Sequence, residues 1–205
     1  MRLHSAQDVA KLRGILLQRS VRFGNFTLAS GQTTDVYVDA KLTTCSPEAM
    51  PLVGRIFLAK LREKGWEPEA VGGLTTGADP IAWAIARESL DYGKPLTAFI
   101  VRKTAKEHGR KRPIEGIEDP KGCKVVVIDD VCSTGWSTAE AIEKAKAQGM
   151  EVIGAVCLVD RSMGASELLA SKFNCELESI FKLSDLRAEY ERTHARAERP
   201  VEAAV

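Results

Sequence analysis

From residue 70 onwards, short apolar runs alternate along the chain with longer segments in which apolar residues repeat at helical spacing. Runs of roughly four to eight apolar residues, without polar alternation, are typical of strands that a parallel sheet buries on both faces. We therefore predict strands at residues 70–74, 96–101, 125–128, 152–159 and 177–181. Strands that alternate with helices predict an α/β fold, with a doubly wound and mainly parallel sheet flanked by helices.

The amphipathic segments predict five helices. Ser5 and Asp8 have the spacing of a capping pair ahead of the first helix, which ends near Ser20. The second helix is predicted to start at residues 46–48, where Pro47 suits a first turn, and to end at Gly65. The remaining helices are predicted at residues 79–91, 139–148 and 184–195.

With 205 residues, the chain is predicted to form a single domain. Residues 1–45 would form an N-terminal hood, made of the first helix and a hairpin with strands at residues 21–28 and 35–40. Residues 46–195 would form the α/β core, and residues 196–205 would be a frayed tail.

Charged residues make up 28% of the chain, yet they balance to a formal net charge of +1. The overall charge therefore gives no indication of a nucleic-acid or membrane partner.

The five cysteines include no C-x-x-C pair, which argues against a disulfide framework and against a zinc site. Because no secretory signal and no apolar run of membrane length is visible, we predict a cytoplasmic location.

The central motif, residues 124–138, combines a buried strand with two carboxylates and a helix start. Asp129 and Asp130 follow the apolar run, and a short polar loop at residues 132–135 leads into the helix predicted from Ala139. Ligands of open α/β sheets bind at the carboxyl ends of strands, and a helix N-terminus favours an anion. A ribose 5-phosphate offers hydroxyls to the acids and a phosphate to the loop. The alternative interpretation is an ordinary strand end with turn and cap residues.

A long loop is predicted at residues 102–116, and its first part, residues 102–112, is called the basic loop here. It contains six cationic residues, one acid and one histidine. It could be a solvated charge cluster, or a nucleic-acid patch, although it lacks the interleaved aromatic residues that stack on bases. We favour a mobile cover that neutralises a departing diphosphate, because the loop follows a strand of the same sheet.

The central motif resembles the 5-phosphoribosyl 1-diphosphate (PRPP) binding motif of the type I phosphoribosyltransferases. Residues 102–109, with the pattern R-K-x-x-K-x-H-G, are similar to the catalytic loop of the orotate phosphoribosyltransferases. Residues 26–31, followed by residues 37–39, look like the N-terminal signature of that family, and Arg161 matches its orotate-contacting arginine. The chain departs from the pattern at Ala29 and Thr76, where some members carry a lysine.

The resemblance implies transfer of ribose 5-phosphate from PRPP to orotate, giving orotidine 5′-monophosphate and diphosphate in pyrimidine biosynthesis. It implies catalytic roles for four residues: Asp129, Asp130, Lys106 and His108. It implies PRPP binding by residues of the basic loop and of the central motif: Arg102, Lys103, Lys106, His108, Asp129, Asp130, Val131, Cys132, Ser133, Thr134, Gly135, Trp136 and Ser137. It implies orotate binding by Ser133, Arg161 and Tyr37.

Mg²⁺ is expected to bind mainly through the phosphates of PRPP and water, rather than in a cage of protein ligands. The resemblance also implies a homodimer with shared active sites, in which the basic loop reaches the neighbouring subunit, and neither a nucleic-acid nor a membrane partner.

Two alternatives stay open on the sequence. The first is a phosphoribosyltransferase for a purine or another base, which the central motif permits and the basic loop disfavours. The second is a PRPP-binding regulator of nucleic acid, which would need a basic recognition helix or an added DNA-binding domain.

Overall fold

The computed structural model describes residues 5–27, 31, 33–104 and 113–197 of the chain. The helices in this part of the chain are α1 (Ala6–Arg19), α2 (Lys41–Thr44), α3 (Met50–Glu63), α4 (Asp79–Ser89), α5 (Trp136–Ala147), α6 (Ala165–Phe173) and α7 (Leu183–Ala197). A short 3₁₀ helix, Leu90–Tyr92, continues α4. The strands are β1 (Val21–Thr27), β2 (Thr33–Val38), β3 (Ala70–Leu74), β4 (Thr97–Val101), β5 (Ile114–Glu115), β6 (Lys124–Cys132), β7 (Glu151–Asp160) and β8 (Leu177–Lys182).

The main sheet has six strands in the order β5-β4-β3-β6-β7-β8, and β1 with β2 forms a separate antiparallel pair. Five strands of the main sheet run parallel, and only β5 at the edge is antiparallel. The predicted α/β class and the N-terminal hairpin are therefore confirmed. Because β3, β4, β6 and β7 are parallel neighbours, their carboxyl ends meet along one side of the sheet, called the carboxyl edge here.

Strand β6 separates the two hydrophobic layers. Val126 and Ile128 pack into the larger cluster, together with residues of α1, α3 and α4. Val125 and Val127 pack on the other face, against Ile142 of α5 and its neighbours. All four side chains are at most 1% exposed, as a continuous apolar run predicts for a strand covered on both faces.

Helix α1 begins as its sequence predicts. The backbone N–H of Asp8 donates to the Ser5 hydroxyl (3.1 Å), and the Ser5 N–H donates to the Asp8 carboxylate (2.9 Å). This reciprocal pair satisfies two N–H groups that a helix start would otherwise leave without partners.

Several boundaries differ from the prediction. The loop predicted at residues 102–116 contains β5, which pairs with the end of β4, and α6 was not predicted at all. The second helix was predicted from residue 46 but starts at Met50, with Pro51 in its first turn, and the separate helix α2 precedes it. Helix α5 starts at Trp136 rather than Ala139. Strand β6 continues to Cys132 because β7 pairs with it as far as Asp160.

Glycines in β3 allow its neighbours to come close. A Cβ atom added at Gly73 would overlap the carbonyl oxygen of Ile128 on β6, and it would lie 2.8 Å from the Cβ of Ala78. A backbone carbonyl of a central strand cannot move aside as the end of a flexible side chain can.

We expect Gly73→Ala to lower the free energy of unfolding by about 3 kcal/mol or more, because it overpacks a rigid part of the core. Gly14→Ala is the matched control, since nothing lies within 4 Å of a Cβ added at this position in α1. That substitution should instead raise stability by about 0.5–1 kcal/mol. Urea titration of both variants measures the difference, and equal effects would contradict the close approach of β3 and β6.

Candidate active site

Asp129 is a buried carboxylate on β6, only 7% exposed. Its Oδ2 accepts a hydrogen bond from the Thr138 hydroxyl of α5 (2.7 Å), and its Oδ1 accepts one from the Asp130 backbone N–H (2.9 Å). The Thr138 oxygen also lies 3.0 Å from the Cys132 thiol. Asp129, Thr138 and Cys132 therefore form a buried polar cluster that connects β6 to the first turn of α5.

Burial raises the pKa of Asp129 from 3.8 to about 7, because the charged form loses its hydration. The hydrogen bond from Thr138 opposes this rise, and the nearby charge of Asp130 adds to it. A carboxyl group with this pKa exists in both protonation states near neutral pH.

Asp130 points to the opposite face of β6, as the two-residue period of a strand requires. Its side chain is 15% exposed, and its Oδ2 lies 3.9 Å from the Lys41 ammonium at the start of α2. A Cβ atom added at Gly77 would overlap the Asp130 carboxylate, so the loop at residues 75–77 approaches this group only because Gly77 has no side chain. Consecutive acids of the central motif thus face α5 on one side and the hood on the other.

The segment after Asp130 encloses a small cavity of about 130 Å³. Its lining consists of Asp129 and most of the predicted PRPP-binding residues of the central motif: Val131, Cys132, Ser133, Thr134, Gly135, Trp136 and Ser137. Among the described residues, no side chain caps α5, whose N-terminal residue is preceded by Gly135. The first N–H groups of α5 are therefore available to an anion in this cavity.

Two larger cavities, of about 580 and 440 Å³, lie away from this edge. The first lies between α1, β1 and α7, and the second lies at the opposite end of β3 and β4. Neither is lined by a predicted site residue, so size alone does not identify the site here.

The two ends of the basic loop are held together where they leave the sheet, and the residues that join them are called the neck here. The Arg102 backbone N–H donates to the Pro113 carbonyl (2.9 Å), directly beside the pairing of β4 with β5. The Lys144 ammonium of α5 donates to the backbone carbonyls of Arg102 (2.8 Å) and Lys103 (2.9 Å). The Arg102 guanidinium pairs with Glu115 (3.0 Å). Lys106 and His108, two of the predicted catalytic residues, lie outside the described residues, as does Ala29.

The predicted orotate-binding residues come from three elements. Ser133 lines the small cavity, and Tyr37 is 46% exposed on β2. Arg161 follows β7, and its backbone N–H donates to the Cys132 carbonyl (2.8 Å), which joins the ends of β6 and β7. The Arg161 Nε is buried and has no hydrogen-bond partner among the described residues.

Four polar residues at this edge were not singled out from the sequence. Thr138 and Lys41 contact the two acids, Lys144 holds the neck of the basic loop, and Asp79 accepts a hydrogen bond from the Thr75 hydroxyl (2.6 Å). Thr138 is the last residue of the central motif, so the motif contained it although no role was assigned to it. Lys41, Lys144 and Asp79 have no local pattern that marks them.

The described residues include no group of three or more His, Cys, Asp or Glu side chains arranged to hold a metal ion. None of the helices in the described ranges has both the length and the apolar character needed to cross a membrane.

The sheet order and the site at its carboxyl edge define a phosphoribosyltransferase, and comparison with known families agrees. The model of the family described as "Phosphoribosyl transferase domain" matches residues 46–191. The chain belongs to this family.

Orotate phosphoribosyltransferases are among its relatives. The one from Aquifex aeolicus is 42% identical over 179 residues, which cover 86% of this chain and 96% of that protein. The one from Nostoc sp. is 39% identical, over 88% of this chain and 86% of that protein. A crystal structure of Mycobacterium tuberculosis orotate phosphoribosyltransferase in complex with PRPP matches with a TM-score of 0.74 and 34% identity, over 88% of this chain and 99% of that one.

The raised pKa of Asp129 predicts how stability depends on pH. Because the folded state holds its proton more tightly than the unfolded state, this group stabilises the fold at low pH. That contribution is lost as the pH rises from about 4 to about 7. Relative to Asp129→Asn, which cannot ionise, the parent should therefore lose up to about 4 kcal/mol of unfolding free energy over this range.

Urea titrations at several pH values measure this difference, and Asp8→Asn is the control of opposite sign. The Ser5 backbone N–H lowers the pKa of Asp8, so the parent should gain stability relative to that variant as the pH rises through the acid range. A difference between parent and Asp129→Asn that does not vary with pH would show that the Asp129 pKa is not raised.

Proposed function

We propose that this chain transfers ribose 5-phosphate from PRPP to a ring nitrogen of orotate, giving orotidine 5′-monophosphate and diphosphate. The observation that carries this proposal is the position of two consecutive acids at the end of β6, directly before a loop that leads to an uncapped helix N-terminus at the carboxyl edge. This arrangement suits one ligand that has sugar hydroxyls and a phosphate. The orotate phosphoribosyltransferases among its relatives support orotate as the acceptor.

The 5′-phosphate would lie in the small cavity at the start of α5. There, backbone N–H groups and the hydroxyls of Ser133, Thr134 and Ser137 would donate hydrogen bonds to its oxygens. Asp130, which is partly exposed, would accept a hydrogen bond from a ribose hydroxyl, and Asp129, which lines the small cavity, would accept one at the end of β6.

The reaction separates charge at the anomeric carbon. The bond from this carbon to the diphosphate oxygen breaks, its electron pair leaves with the diphosphate, and the orotate nitrogen forms the new bond. Positive charge develops on the ribose, where the carboxylates of Asp129 and Asp130 would stabilise it. Preorganised groups of this kind are typically worth about 10²–10³ in rate each.

The basic loop would neutralise the departing diphosphate. We assign this role to Arg102, Lys103, Lys106 and His108, with His108 as a diphosphate contact rather than a general base. The neck formed by the Lys144 and Pro113 contacts fixes both ends of the loop at the carboxyl edge. A loop that closes from this position would also exclude water, which could otherwise hydrolyse PRPP.

Orotate would bind next to the ribose, between Arg161, Ser133 and Tyr37. A planar guanidinium matches a carboxylate or carbonyl group, and the buried Arg161 Nε has a donor without a partner among the described residues. The exposed ring of Tyr37 would cover the pyrimidine from the hood.

Mg²⁺ would accompany PRPP and neutralise part of the diphosphate charge. The carboxylate oxygens of Asp129 and Asp130 are the hard donors that this ion prefers, directly or through its waters, and most of its ligands would be phosphate oxygens.

We place the reaction in the cytoplasm, because all five cysteines are free thiols.

The purified chain should consume orotate only when both PRPP and Mg²⁺ are present, which loss of orotate absorbance measures directly. Hypoxanthine and uracil in the same assay should give no product. Conversion of either of these bases, with orotate unchanged, would contradict the proposed acceptor. Release of diphosphate without any base would instead indicate PRPP hydrolysis.

We further propose a homodimer with shared active sites. Helix α4 follows the loop at residues 75–77 and exposes Trp83 and Arg87. Leu90, in the 3₁₀ helix that continues α4, extends this exposed stripe. Leu42 of the adjoining helix α2 is also half exposed. Large apolar side chains at helical spacing, beside the site, suit a self-complementary interface.

Subunit complementation tests the shared site. Lys106→Ala and Asp130→Asn should each be nearly inactive alone. If the basic loop serves the neighbouring subunit, a mixed dimer has one site with both residues intact, and an equal mixture should recover about a quarter of the parent activity. Sites contained within one subunit would give no recovery.

A further inference from the structure

Lys41 reaches the carboxyl edge from the hood. It is the first residue of α2, and its ammonium lies 2.9 Å from the Asp39 carboxylate and 3.9 Å from that of Asp130. It therefore connects the hood to the central motif, although the two are far apart in sequence.

The ammonium of Lys41 has donor capacity left for a ligand. An ammonium group has three N–H donors, and Asp39 is its one partner within hydrogen-bond distance among the described residues. Asp130 is an ion-pair partner at a longer distance. The side chain is 48% exposed, so a ligand can reach it. Hydrogen bonding to Asp39 and the charge of Asp130 raise the pKa of Lys41, so it stays protonated at neutral pH.

The charges at this edge favour an additional cation. Five described carboxylates lie at or beside it: Asp39, Asp79, Asp129, Asp130 and Asp160. PRPP carries two phosphate groups at one end and a third at the other, so it needs cations to offset these acids. Arg102, one of the cations at the root of the basic loop, is already paired with Glu115.

The position of Lys41 indicates which part of PRPP it would contact. The Asp130 carboxylate touches Gly77 in the loop at residues 75–77 and faces Lys41 with its Oδ2. Lys41 and that loop therefore approach different oxygens of the Asp130 carboxylate. Both lie away from the cavity that would hold the 5′-phosphate, which is on the other face of β6. The group nearest to Lys41 would be the diphosphate. Thr76, in that loop, supplies no charge there, since its side chain is neutral.

We propose that Lys41 donates a hydrogen bond to the diphosphate of PRPP, while its bond to Asp39 holds the ammonium in place. This inference rests on the proposed function, because it assigns Lys41 to the same site. It adds to that site a diphosphate contact that is independent of the basic loop.

Isothermal titration with inorganic diphosphate and Mg²⁺ tests the contact directly. Lys41→Met should weaken diphosphate binding by about 10- to 100-fold, as expected for loss of a hydrogen bond to a charged group. Lys41→Arg should retain affinity within about threefold of the parent, because it keeps a charged donor. Lys94→Met is the matched control: Lys94 is also exposed and paired with a carboxylate, Glu67, but lies at the opposite end of the sheet.

Titration with orotidine 5′-monophosphate distinguishes contact from a purely structural role. This product contains the ribose and the 5′-phosphate but no diphosphate, so Lys41→Met should bind it as the parent does. Unchanged diphosphate affinity in Lys41→Met would overturn the proposal. So would an equal loss for both ligands, since Lys41 would then act through Asp130 or the hood.

The same set of variants separates this proposal from the proposed function. A parent that does not convert orotate, yet loses diphosphate binding on Lys41→Met, would overturn the orotate reaction and support the contact. An active parent whose kcat/KM for PRPP is the same in Lys41→Met and Lys94→Met would overturn only the contact. Lys41→Gln provides a second neutral variant if Lys41→Met does not fold.

Discussion

The buried carboxylate of Asp129 is the constraint on which the site depends. Removing a carboxylate from water is costly unless hydrogen bonds replace its hydration. Here the Thr138 hydroxyl and the Asp130 backbone N–H replace part of it, and the remaining cost is expressed as a pKa of about 7. Because Thr138 belongs to the first turn of α5, the same hydrogen bond fixes the helix N-terminus relative to β6. The small cavity lined by the end of β6 and the start of α5 therefore depends on this hydrogen bond.

Asp130 has the complementary role on the other face of the strand. Its carboxylate lies against the loop at residues 75–77 and near Lys41, so it joins the core to the hood. Asp129 and Asp130, which are adjacent on β6, thus connect the site to α5 on one face of the sheet and to the hood on the other. The two acids are chemically alike but differ in environment, since one is buried among neutral donors and the other faces an ammonium group.

Most of the fold could be predicted because the strands of a doubly wound sheet are short apolar runs, and those at Ala70–Leu74 and Leu177–Lys182 lie within a residue of their predicted bounds. The end of β6 could not be predicted, since Asp129 and Asp130 are poor strand formers that pairing with β7 keeps extended. Helix α6 was missed because it has only nine residues and its N-terminus has no side-chain cap among the described residues. Lys41 was missed because its partner Asp130 is a tertiary neighbour that no local spacing reveals.

The closed neck of the basic loop has an evolutionary consequence. Its two ends are joined by the contact between Arg102 and Pro113 and by the pairing of β4 with β5, and Lys144 anchors them to α5. The entropy of closing a loop grows only slowly with its length once its ends are fixed. Residues between the two ends can therefore be inserted, deleted or exchanged with little effect on the sheet. If the basic loop binds the leaving group as proposed, natural selection could change this segment while the framework of the sheet stays unchanged.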